Sequence, residues 1–179
     1  MRSSGNWCLR LLQLPFVALH TIERAMRSER LTVRGQPFYV DRDVSDAGEL
    51  IERVREAMHL LQKYRPKSIE RLQCDVSAIR VSSTVWAAFR PTTRECLLGQ
   101  KLLRETDTAV VASYLVHELT HARLSRSAPR TNAESLMREE HRCYREQIEF
   151  LHALSEDGWR NADLWAAATE QRLQRRLRT

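Results

Sequence analysis

The sequence predicts an α+β fold in which a small, mostly antiparallel or mixed sheet packs on long helices. Three observations predict it. Short segments of strand character cluster between Val76 and Leu98. Two long stretches of helical periodicity follow, one on each side of Pro129. The regular strand–helix alternation of a parallel sheet is missing.

The elements follow in chain order. Residues 1–35 read as an N-terminal arm or docking helix, and 36–179 as a single domain. The apolar stretch Leu11 to Leu19 is interrupted by Gln13 and Pro15 and followed at once by Glu23, Arg24 and Arg27. It therefore lacks the unbroken apolar region of a secretory signal; a degenerate signal peptide or a membrane-surface helix is the alternative. Gln36 to Val40 reads as extended. Ser45 can cap a helix in which Leu50, Ile51, Val54, Met58, Leu61 and Tyr64 recur at helical spacing, and Pro66 ends it. Val76 to Ser83, Val85 to Phe89 and Arg94 to Leu98 read as strands, the last two joined by a turn at Pro91-Thr92-Thr93. Thr106 or Asp107 caps a long helix to about Ser125. Thr131 or Asn132 caps another to about Leu154. Asp157-Gly158 is a turn, and Asn161 to Arg178 forms a last helix.

Composition bounds the function. With 179 residues, 42% hydrophobic and 29% charged, the chain can bury one sizeable core, which argues against wholesale disorder. No apolar run reaches the roughly 18 residues of a membrane-spanning helix. The 29 Lys and Arg exceed the 23 Asp and Glu by six. That excess would permit nucleic acid as a partner, but the arginines are spread along the chain and read as a solvated surface. The densest patch is the tail: Arg172, Arg175, Arg176 and Arg178. Cys8, Cys74, Cys96 and Cys143 show no C-x-x-C spacing and read as small buried residues in a reducing compartment, so a cytoplasmic location is expected.

The segment Val116-His117-Glu118-Leu119-Thr120-His121-Ala122 carries the chemistry. It contains H-E-x-x-H inside a predicted helix. A separation of four residues is about one turn, so His117 and His121 project from one face and can grip one zinc ion. Glu118 points elsewhere around the helix and would reach the water at the metal. Catalytic zinc usually takes a third protein ligand, and the next helix offers one. At about 100° per residue, Leu136, Cys143, Tyr144, Gln147, Leu151 and Leu154 fall within about 60° of Glu140, while Glu139, Glu146 and Glu149 lie about 100° or more away. Glu140 thus sits mid-stripe on an apolar face. A carboxylate there is costly unless it is paired or binds a metal. Glu139, His141 and Glu146 are the other candidates for third ligand. Tyr114, one turn before His117, reads as a packing residue. Arg145 or Gln147 could orient a ligand, and His152 could polarise a carbonyl, although a surface position suits it better. Trp86, Trp159 and Trp165 read as core or end-cap aromatics.

His117, Glu118 and His121, with Glu140 on a second helix, resemble the gluzincin branch of the zincin metallopeptidases. The likeness spans roughly Val76 to Leu154. The chain lacks the N-E-x-x-S-D wording around the third ligand, which sets it apart from thermolysin proper. The resemblance implies a zincin-like fold, one zinc ion, Glu118 as general base and hydrolysis of peptide or other amide bonds. It also implies a strand edge upstream of the motif helix that holds an extended peptide or protein substrate, here matched in order by Arg94 to Leu98. The alternative reading is a zincin-like but non-catalytic binding or regulatory module with a basic C-terminal tail.

Overall fold

The computed structural model describes residues 28–33, 35–83, 85–127 and 132–177, to which all structural statements refer. They form an α+β domain of five strands and six helices in the order β1 (Ser28–Val33), β2 (Gln36–Asp41), α1 (Ala47–Tyr64), α2 (Pro66–Asp75), β3 (Ala78–Ser82), β4 (Ala87–Arg90), β5 (Glu95–Gly99), α3 (Gln100–Glu105), α4 (Thr108–Ser127), α5 (Ala133–Glu156) and α6 (Ala162–Arg176). The sheet is mixed, with strand order β1-β2-β3-β5-β4. β2, β3 and β5 are parallel neighbours; β1 and β4 are antiparallel edges.

One face of the sheet builds the core. Phe38 and Val40 of β2, Ile79 and Val81 of β3, and Cys96 and Leu98 of β5 alternate inward. They meet Leu50, Val54, Met58 and Leu61 of α1, Val111 and Leu115 of α4, and Phe150 and Leu154 of α5. Fully burying an aliphatic or aromatic side chain of this kind contributes about 1.5–3 kcal/mol. α4 is the hub: it packs on α5, α1, α2 and the strands β4 and β5, and α6 lies on α5.

Local chemistry sets the ends. The Asp107 side chain accepts from the Val110 amide at 2.9 Å and so caps α4. Asn132 accepts from the Ser135 amide at 2.8 Å, and the Ser135 hydroxyl faces the Asn132 amide, which closes a capping box on α5. Several expectations need correction. Ser45 does not cap α1; Asp46, at φ 57°, holds that position, and the Ser45 oxygens receive Arg104. Pro66 begins α2 as well as ending α1, because its missing N–H costs nothing in a first turn. Gly99 leads into the short helix α3. Cys74 is exposed, whereas Cys96 and Cys143 are buried. Ser28–Val33, within the segment expected as an arm, pairs with β2 along its whole length. The expected docking helix nearer the N-terminus, and Cys8, lie outside the described residues. No described helix is long and apolar enough to cross a membrane.

Candidate metal centre

The motif helix α4 and its neighbour α5 bring four donor side chains to one place. His117 and His121, one turn apart, turn their Nε2 atoms towards each other at 3.2 Å. Glu140 of α5 offers Oε1 at 3.4 Å from His121 Nε2 and Oε2 at 3.8 Å from His117 Nε2. Cys143, one turn further along α5, completes a buried His117–His121–Cys143 group whose donor atoms all lie within 4.8 Å of one another. Such a cluster could hold a metal ion. Imidazole nitrogen, thiolate sulfur and carboxylate oxygen are all ligands of a borderline-soft cation.

The backs of both rings are held. His117 Nδ1 lies 3.1 Å from Gln147 Oε1, and Gln147 in turn donates to the Ser113 hydroxyl at 3.1 Å. His121 Nδ1 lies 2.6 Å from Glu139 Oε1. With each Nδ1–H donated backwards, a neutral ring presents its Nε2 lone pair forwards, as ligating histidines do. The Tyr144 ring packs edge-on against His117, 4.8 Å between centroids.

The protons are unevenly divided. Burial, then the neighbouring His121 charge, holds His117 down to about 4. Burial also opposes charge on His121, but hydrogen bonds with Cys143, Glu140 and Glu139 outweigh it and push His121 up to about 11. The hydrogen bond to His121 keeps Glu140 below the usual carboxylate range against the effect of burial. Burial pushes the Cys143 thiol up. An imidazolium at His121 facing a neutral His117 and the Glu140 carboxylate is thus the consistent reading of the 3.2 Å Nε2–Nε2 contact.

The centre opens into a cleft of about 320 Å³. Glu118, 5% exposed, lines it with both histidines and Glu140. Ala87, Ala88 and Phe89 of β4 form one wall, and Arg172 and Arg176 of α6 also line it. The strand beside the cleft is therefore β4. Arg94 to Leu98, expected to hold substrate at an edge, falls largely in β5, which is enclosed between β3 and β4. An adjoining cavity of about 350 Å³ shares His121, Glu140 and Arg176 and is floored by Leu136 and Met137.

The remaining candidates fall elsewhere. Glu139 reaches the Nδ1 of His121, away from the converging nitrogens. His141 does not line the cleft. Glu146 pairs with Arg65 and Arg123 at 3.4 and 3.2 Å. His152 is exposed and lies 3.2 Å from Glu170, outside the cleft. Arg145 faces Glu149 on the surface, while Gln147 is the residue that orients a histidine. Tyr114 packs partly buried on the core as expected and also lines the cleft, edge to face with the exposed Trp86 at 6.2 Å between centroids. Trp165 packs partly buried on the core, and Trp159 is exposed. Cys143 as a donor was missed, although its phase beside Glu140 on α5 was a usable signal. No protein-family model, curated protein or solved structure matches the chain.

Proposed function

We propose that this protein is a zinc-dependent hydrolase, a metallopeptidase of zincin-like, gluzincin-type design. The observation that carries the proposal is the approach of the Glu140 carboxylate to the two facing imidazoles beside a cleft, Oε1 at 3.4 Å from His121 Nε2 and Oε2 at 3.8 Å from His117 Nε2. His117, His121 and Glu140 would hold the ion, with Cys143 as the competing third donor. Bound zinc supplies Lewis acidity, polarising a carbonyl and lowering the pKa of water towards about 7.

The chain's own residues supply the rest. Glu118 sits beside the ligands in a buried position, where its carboxylate takes a proton from the attacking water and returns it to the leaving amine. β4, an edge strand along the cleft, has main-chain groups on its outer side to receive an extended peptide by strand addition. Gln147 and Glu139 fix the two rings so that they need not reorganise. The rival reading is a binding module using the basic tail; Arg172 and Arg176 of that tail line the cleft and are also exposed.

The test is metal content and peptidase activity in wild type and in Glu118→Gln. Stoichiometric zinc in both proteins, with activity lowered by about 10²–10⁴-fold in the variant, is expected. Protein without stoichiometric metal, or activity indifferent to Glu118→Gln, overturns the reading.

A further inference from the structure

Two guanidiniums line the candidate cleft, both from α6 and one turn apart. Their surroundings differ. Arg176 lies 3.1 Å from Glu140 Oε2 and stacks over the Tyr144 ring, 5.6 Å from its centroid. Its charge already faces a carboxylate. Arg172 donates from Nη1 to the Tyr114 hydroxyl at 2.9 Å, and the groups that act on it are the phenols of Tyr114 and Tyr144. No carboxylate pairs with Arg172 among the described residues, whereas Arg65, Arg80, Arg123, Arg126 and the neighbouring Arg176 each have one.

Position adds to this. Tyr114 is one turn before His117 on α4, so the phenol that anchors Arg172 rises from the same helix face as the metal-binding rings. Trp86, edge-on against Tyr114, immediately precedes β4. Arg172 therefore stands where an extended chain laid along β4 would pass. A guanidinium has five N–H donors in a planar fork, and its bonds to the phenols of Tyr114 and Tyr144 leave part of that capacity unused. A carboxylate is the anion that a peptide itself carries, at its terminus or on an acidic side chain.

We propose that the cleft selects amide substrates bearing a carboxylate near the scissile bond, with Arg172 as the specificity-determining residue and Tyr114 as the residue that positions it. This rests on the hydrolase reading for its substrate, but the charge preference can be read by binding alone. The probes are succinic monohydroxamate, which carries a carboxylate, and its terminal amide, which is neutral; the hydroxamate anchors either one to the zinc-loaded full-length protein. Calorimetric titration should show the carboxylate probe binding on the order of tenfold more tightly than the amide at low salt, with the gap narrowing as salt rises. Arg172→Gln should reduce the gap to within about twofold, and Arg172→Lys should retain part of it.

Two larger hydroxamates, one ending in a free α-carboxylate and one with a Glu side chain and an amidated end, separate the two sources; preference for either supports the proposal. Equal affinity of the acid and amide probes in wild type, or a gap unchanged in Arg172→Gln, overturns it. A centre that binds zinc and the amide probe but hydrolyses no peptide defeats the hydrolase reading and still reports the charge preference. Failure of every probe to bind defeats both.

Discussion

At the scale of single residues, the two imidazoles of the centre divide one proton: His117 is neutral and His121 is charged near pH 7. A divalent cation needs both Nε2 lone pairs, so its binding must expel the His121 proton. Glu140 is already ionised, whereas Cys143 holds its proton. Zinc uptake at pH 7 should therefore release about one proton if Glu140 is the third ligand and about two if Cys143 is. Calorimetry in buffers of different ionisation enthalpy counts them. The sign follows: because protons leave, apparent affinity rises with pH, by about tenfold per unit for each proton released. Gln147→Ala should weaken zinc binding by about 10–100-fold in a chelator competition, since the His117 ring loses the acceptor that orients it. Much of this centre was legible beforehand. The interval between His117 and His121 fixes their common face, and helical phase turns Glu140 inward. Cys143 was not, because a thiol on an apolar stripe looks like any small buried side chain. Nor was the contact from Glu139, which depends on how α5 is rotated against α4.

At the scale of elements, the ends of helices and strands decide whether the donors meet. The capping box at Asn132 starts α5 only two turns before Glu139 and Glu140. Asn132→Ala should lower stability by about 1 kcal/mol in urea denaturation. Gly99 closes β5 by donating its amide N–H to the Trp86 carbonyl oxygen in a 2.7 Å hydrogen bond, and a Cβ there would run into the Val85 carbonyl oxygen. Its φ is ordinary, so the constraint is close approach and not backbone conformation. Gly99→Ala should cost about 1–3 kcal/mol and, under the proposed function, reduce hydrolysis, because the segment it pushes leads directly into β4. β3, β4 and β5 were readable from their residue types. α2 was not, because Pro66 carries the signal for a stop and for a first turn alike. α3 is a six-residue helix, too short for periodicity to register.

For the whole molecule, the centre joins two helices that already share the main core, so zinc should add stability without being required for folding. At free zinc about 100 times its dissociation constant, the gain should be about 2.7 kcal/mol, seen as a raised melting temperature that a chelator reverses. The α+β class followed from the segregation of strands and helices. Strand order did not, because β2, β3 and β5 pair over long sequence separations, and which strand is left outermost depends on that assembly. β1 went unread for the same reason, since its partner β2 is what makes it a strand.

An outer strand with an unsatisfied flank also invites identical chains to stack on it. Ala87–Arg90 spans four residues and runs into Pro91, and both brevity and a nearby proline discourage such stacking. Under the proposed function the cleft wall is thus a compromise, hospitable to a passing guest and inhospitable to fibre-like growth.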